Sequence, residues 1–119
     1  MVNNSQYDNV YKFQMALGDR CCLMDIDNAN YQNVGVHTMK EGNKIPMITI
    51  DTLRLDACDL IQLDVEGFEG KVLQGAENTI RKFWPVITAE NGHKCEQFLL
   101  ELGYRGVDQS RSDKVFARP

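Results

Sequence analysis

No run of apolar residues in this 119-residue chain approaches the roughly 20 needed to span a bilayer as a helix. The opening residues, Met1 to Gln6, carry neither a basic stretch nor an apolar one, so they do not read as a secretory signal. A cytoplasmic location with no membrane partner is the expectation. Lys and Arg never form a block: the densest basic stretch, Arg105 to Arg118, is broken by Asp108 and Asp113, and the net charge is -4. That excludes the electrostatic footprint expected for nucleic acid or anionic lipid. The four cysteines, Cys21, Cys22, Cys58 and Cys95, match no zinc or Cys-x-x-Cys spacing. Cys58 and Cys95 sit in apolar settings and read as small core residues, and a structural disulfide is not expected in a reducing compartment. Gly-x-Gly occurs nowhere, and there is no internal repeat or low-complexity linker.

What remains is a chain with 43% hydrophobic and 25% charged residues, the balance of one small soluble domain with one core. Val10 to Ala16 alternates large apolar and polar residues and predicts a strand with Tyr11, Phe13 and Met15 on one face. Leu17 to Arg20 reads as a turn, and Cys21 to Ile26 as the returning strand of a hairpin. Asp27 to Gln32 reads as loop, and Asn33 to Met39 as a short extended piece. Glu41-Gly42-Asn43-Lys44 is a turn signal. Ile45 to Ile50 is β-rich, with Pro46 confined to a strand start or an edge because it lacks a backbone donor. Asp51 is placed to be the N-cap of a helical turn over Asp51 to Leu53.

From Leu60 the pattern turns to α/β. Leu60 to Leu63 predicts a buried strand. Phe68, Val72, Ala76, Ile80 and Phe83, widened by Leu73, form one stripe of a helix. Gly75 lies inside that helix at a cost of up to about 1 kcal/mol against alanine, which close packing against a neighbouring strand would explain. Pro85 ends the helix by disfavouring the helical conformation at Trp84. Val86 to Ala89 is the next strand. Cys95, Phe98, Leu99 and Leu102 mark a second helix with Gly103 as its C′ residue. Lys114 to Ala117 reads as a last strand. Strand, helix, strand, helix implies parallel pairing with right-handed crossovers.

The chemistry-bearing residues gather at the ends of those two strands. Asp64-Val65-Glu66-Gly67-Phe68-Glu69 puts three carboxylates into six residues at a strand exit. Ligands of open α/β sheets bind at such exits. Glu90 ends the adjacent strand, so Asp64 and Glu90 are expected in one crevice, followed by Asn91 and His93. Asp64, Glu90 and Asn91 offer the oxygen ligands that Mg²⁺ takes. Alternatively Asp64, Glu66, Glu90 or His93 acts as a general base toward a substrate hydroxyl, since crowded carboxylates raise at least one pKa toward the working range. Structural roles compete with these: Glu66 and Glu69 complement a helix dipole, His93 opens the second helix, and His37 reads as solvated or structural. A metal-dependent hydrolase built on the same carboxylates is a further alternative.

Ile50-Asp51-Thr52-Leu53, then Asp59 through Glu69, then Val72-Leu73-Gln74-Gly75-Ala76, then Pro85 through Glu90, resembles the series found in FkbM-type methyltransferases. Ala16-Leu17-Gly18-Asp19 and Asn33-Val34-Gly35 resemble upstream pieces of the same family. The resemblance implies an α/β fold: a partial Rossmann-like, class I methyltransferase-like sheet of mixed strands with flanking helices, plus a β-hairpin region near the N-terminus. It implies S-adenosylmethionine as cofactor and a hydroxyl of a small molecule or glycan as acceptor. It carries Asp64, Glu66, Gly67 and Glu69 over as signature positions, and Glu90 as the acid after the next strand. Asp64 with Glu90 and Asn91 is also similar to the strand-end ligands of metal-dependent catechol O-methyltransferases.

Two departures qualify the resemblance. Gln62 stands where the family usually has Lys. The Gly-rich turn and the acid that hold the cofactor are also not found, so residues 1–119 are expected to be one domain corresponding to the C-terminal part of such an enzyme, truncated or split. In the family sheet the first two strands lie between the third and the fourth. Without them, strand 10–16 is expected to pair with strand 60–64 or an outer strand, or to leave an open edge. Open edges invite another chain, so a homo-oligomer or a separately encoded N-terminal half is the expected partner. A non-catalytic binding domain of the same fold is the alternative function.

Overall fold

The computed structural model describes residues 8–27, 38–65 and 67–119. Among the described residues, two four-stranded mixed sheets and three short α-helices make a mixed α/β structure. The first sheet holds β1 (Ala16–Leu17), β2 (Cys22–Asp27), β3 (Thr38–Glu41) and β4 (Ile45–Ile48), in the order β1-β4-β2-β3. The strand expected over 10–16 is therefore reduced to its last residue and the one after it. Tyr11 and Phe13 are 79% and 63% exposed, so their alternation meets no surface that would reward a ladder. The expected hairpin is also replaced. β1 runs parallel to β4, with Ala16 opposite Met47, while β2 is antiparallel to both β3 and β4. This placement lets Leu17 pack on the core and Gly18 donate to the carbonyl of Ile48 at 2.9 Å. No pairing joins β1 to residues 60–64.

The turn signal at 41–44 becomes an interruption within one antiparallel pairing: Met24 faces Glu41 on one side of it and Ile45 on the other. Asp25 secures the interruption by accepting from the amides of Asn43 at 3.3 Å and Lys44 at 3.1 Å. Pro46 is the second residue of β4, ahead of Met47 where pairing with β1 begins. Of the loop expected over 27–32 and the extended piece expected over 33–39, residues 28–37, with His37, lie outside the described residues; Asp27 ends β2, and Thr38 and Met39 open β3.

The second sheet holds β5 (Leu60–Leu63), β6 (Val86–Glu90), β7 (Arg105–Ser110) and β8 (Asp113–Ala117), in the order β5-β6-β8-β7. β5 and β6 are parallel, as the alternation of elements requires, and β8 inserts antiparallel between β6 and β7. The helices are α1 (Glu69–Gln74), α2 (Glu77–Phe83) and α3 (Glu96–Glu101). They cover one face of the sheet. Ile61, Leu63, Ile87, Ala89 and Phe116 point into a core with Val72, Leu73, Ala76, Ile80 and Leu99. Burying each large aliphatic side chain there contributes about 1.5–3 kcal/mol. The alternate residues face the other way, and Leu60 and Val86 are 55% and 40% exposed. β5 is thus half-buried rather than fully buried, because it is an edge strand covered on one face only.

The single helix expected over 68–83 is two. Asp51 explains the break. Its N–H donates to the carbonyl of Gly75 at 3.0 Å, and its carboxylate accepts from the amides of Asn78 at 3.2 Å and Thr79 at 2.8 Å. In a continuous helix Gly75 and Thr79 would bond each other; Asp51 takes both groups. Asp51 therefore does not cap its own turn. The 3-10 turn Ile50–Leu53 is capped by Thr49, whose side chain accepts from the Thr52 amide. Gly75 is needed for the approach, since a Cβ there would collide with the carbonyl oxygen of Gly18.

The helix stops follow local chemistry. Trp84, before Pro85, takes a left-handed conformation with φ 49° and ends α2. Gly103, at φ 98°, ends α3 in a Schellman motif: Gly103 donates to Leu100 and Tyr104 to Leu99, each at 3.0 Å. All four cysteines are free thiols, with Cys95 buried and Cys58 packed against the core.

Candidate functional site

The uncovered face of the second sheet forms a cavity of about 510 Å³ that runs along β5 from Leu60 and reaches the carboxyl ends of β5 and β6. Leu60, Gln62 and Leu63 of β5 and Thr88 of β6 make its floor. Asp64 and Glu90 stand on its rim, with Val115, Asp113, Ser112 and Arg111 closing the side toward β8. The register dictates this meeting. Leu63 is opposite Ala89 in a parallel pair, so the next residues, Asp64 and Glu90, emerge at the same level. Period-two alternation then puts Gln62, Thr88 and Glu90 on the face that the helices leave open.

The third acid comes from the neighbouring strand. Asp113 lies directly opposite Glu90 in the β6–β8 ladder. Like charges directly opposite each other in a ladder repel. The β7–β8 hairpin tip is held there by Asn91, whose amide donates to the Ser112 carbonyl at 2.8 Å. Arg111 and Asn91 both take left-handed conformations, with φ 58° and 53°. Non-glycine residues in that region cost free energy and cluster at functional sites.

Of the expected site residues, the structure brings Asp64 and Glu90 together and adds Gln62. Asn91 does not line the cavity; its role is the backbone tether to Ser112. His93 sits in the exposed 3-10 turn Gly92–Lys94 and does not line it either. Gly67 takes φ 90°, which accounts for glycine at that position. Glu69 is not a solvated helix start: it is 1% exposed, and its Oε2 has no hydrogen-bond partner among the described residues. Glu66 lies outside the described residues. Thr88, Arg111, Ser112 and Asp113 were not anticipated. Their signal was the polar run Asp108 to Asp113 between two strand-like stretches, which marks a hairpin tip but not the sheet end it reaches.

Among the described residues no three His, Cys, Asp or Glu side chains gather closely enough to hold a metal ion. Of the expected set Asp64, Glu90 and Asn91, the first two line the cavity, and Asn91 leaves the strand in a left-handed conformation. No helix among the described residues is long and apolar enough to cross a membrane.

Two parallel strands that end in acids beside an open cavity form the arrangement at which open α/β sheets bind their ligands. The family follows from comparison: residues 3–105 match the family model described as the methyltransferase FkbM domain, and the chain belongs to that family. Neither a curated protein nor a solved structure matches it.

Proposed function

We propose that the chain serves O-methyl transfer to a hydroxyl of a small molecule or glycan, with the strand-end cavity holding the acceptor. The observation that carries this reading is the convergence of Asp64 and Glu90 on one cavity in a chain of a methyltransferase family. We read β5, α1, α2, β6 and α3 as part of a Rossmann-like sheet, supported by the parallel pairing and the helices on one face. Family membership implies S-adenosylmethionine as the donor, which supplies an electrophilic methyl group. The cavity does not fit that donor. Among the described residues no glycine lines it, so none of them offers the bare backbone that a nucleotide cradle requires. No residue is therefore assigned to the donor.

The acceptor side does fit. A hydroxyl entering over Gln62 and Thr88 meets a carboxylate on either side. A carboxylate accepting the hydroxyl proton makes the oxygen a better nucleophile, a contribution of about 10²–10⁴ in rate when well placed. Gln62, Thr88 and Ser112 supply neutral hydrogen bonds that fix its orientation. Calorimetric titration with S-adenosylmethionine is the first test. Saturable binding would place a donor site outside this cavity, and methyl transfer is then expected to be lost in Asp64→Asn and Glu90→Gln. No binding at millimolar ligand would overturn methyl transfer by this chain acting alone.

Among the described residues β5 has an open edge and its Leu60 is exposed, which favours a second reading: a binding domain of the same fold that pairs with another copy or another chain. Light scattering over a wide concentration range tests self-association, and a constant monomer mass counts against it.

A further inference from the structure

A second cleft, of about 430 Å³, lies on the helical side of the molecule, between the 3-10 turn Ile50–Leu53 with its following loop and α2. Its chemistry differs from that of the strand-end cavity. Arg54 enters it from a left-handed conformation, φ 50° and ψ 53°, held by its N–H to the Asp51 carbonyl at 3.2 Å. Lys82 enters from α2, with its ammonium 5.1 Å from the centroid of the Phe83 ring. Neither makes an ion pair with a carboxylate among the described residues, where Arg81–Glu77 and Lys114–Glu96 are the pairs formed. Asp51 also lines the cleft, but its carboxylate is occupied by the Asn78 and Thr79 amides and the Thr79 hydroxyl. Asp56 remains as the one acid lining the cleft without those donors. Leu55 and Phe83 supply apolar surface in the same cleft.

We propose that this cleft binds a phosphate monoester carried on a flat apolar group. The phosphate sits between Arg54 and Lys82, where a planar guanidinium and an ammonium both donate to its oxygens. The apolar group lies on Leu55 and Phe83. The site is separate from the strand-end cavity, whose Asp64, Glu90 and Asp113 repel an anion, and it holds whatever the outcome for methyl transfer.

Phenyl phosphate is the probe, followed by amide chemical shifts of the whole chain. Saturable shifts at Arg54, Leu55 and Lys82 are expected, with phenol causing none. The double variant Arg54→Gln, Lys82→Gln is expected to weaken binding by about tenfold or more, as loss of charged hydrogen bonds does. Arg81→Gln, on the same helix but paired with Glu77, is expected to leave it unchanged. Absence of saturable shifts, equal binding of phenol, shifts confined to the strand-end cavity, or full binding by the folded double variant would each overturn the proposal.

Discussion

Asp51 Oδ1 accepts two hydrogen bonds from Thr79, 28 residues away: one from the amide at 2.8 Å and one from the hydroxyl at 2.7 Å. A carboxylate from the 3-10 turn thereby caps α2 and anchors the first sheet's exit to the helical layer. Asp51→Ala is expected to destabilise the fold by about 1–2 kcal/mol, the range for a lost N-cap. Thr79→Val removes the hydroxyl bond only and should cost less. Chemical denaturation of both single variants and the double variant should show non-additivity. Additive losses would mean that the two side chains do not act as a unit.

Gly75 makes a test in which local propensity and tertiary contact give opposite signs. Helix propensity alone expects Gly75→Ala to gain about 1 kcal/mol. The Cβ would instead meet the Gly18 carbonyl oxygen and lie 3.1 Å from Thr49 Cβ, with Gly18 held by its bond to Ile48 and Thr49 by its bond to the Thr52 amide. Overpacking of this kind costs about 1–3 kcal/mol. A lower thermal midpoint for Gly75→Ala is the expected outcome, and a rise would show that the contact relaxes freely.

How far the sequence could be read depended on the range of the interactions involved. The bounds of β5, the stop at Trp84-Pro85 and the glycine at Gly103 all follow from neighbours within a few residues, and all were legible. Asp64 and Glu90 meeting in one cavity was legible too, because two parallel strands of known polarity fix where their last residues go. Asp51 was assigned to its own turn because a partner 28 residues away leaves no local mark. The strand over 10–16 failed for the same reason: alternation states what a segment would bury, not whether a partner is there. Arg111 to Asp113 joined the site only through β8 inserting beside β6, a choice of sheet order that the strand patterns do not contain.

Tyr104 gives a dependence on alkaline pH. Its hydroxyl donates to the Pro85 carbonyl at 2.6 Å, and burial pushes its pKa from 10.0 up to about 12. The folded state therefore holds the neutral phenol where the unfolded chain would ionise. That stabilisation is complete below pH 10 and is lost as pH rises toward about 12. Urea midpoints should be flat below that window and fall within it. Tyr104→Phe should flatten part of the fall, while costing about 1–3 kcal/mol at neutral pH because the Pro85 carbonyl loses its partner. An unchanged alkaline slope in Tyr104→Phe would remove Tyr104 as its source.

The opposition of Glu90 and Asp113 predicts stability held back at the cavity. Asp113→Asn keeps the shape and removes one of two like charges facing each other across the ladder. A gain of about 0.2–1 kcal/mol is expected, the range for cross-strand pairs. The gain should shrink at high salt, because both groups face an open cavity. A loss of stability that is insensitive to salt would mean that Asp113 holds the hairpin by another contact.

Glu69 poses the sharpest conflict between stability and signature. It packs in the first turn of α1 close enough to Cys95 that, after burial itself, its charge is the main reason the thiol is pushed up to about 11. Its Oε2 is buried without a partner among the described residues. A buried acceptor left unsatisfied costs about 1–3 kcal/mol, more when charged. Glu69→Met, close in volume and apolar, is therefore expected to leave the thermal midpoint unchanged or raise it. It should also let the Cys95 thiol ionise at lower pH, measured by the pH dependence of thiolate absorbance. Glu69→Gln keeps the orphaned oxygen and should gain less than Glu69→Met. A clear loss of stability in Glu69→Met would show that the carboxylate has a structural partner, and would place the residue with the fold rather than with the site.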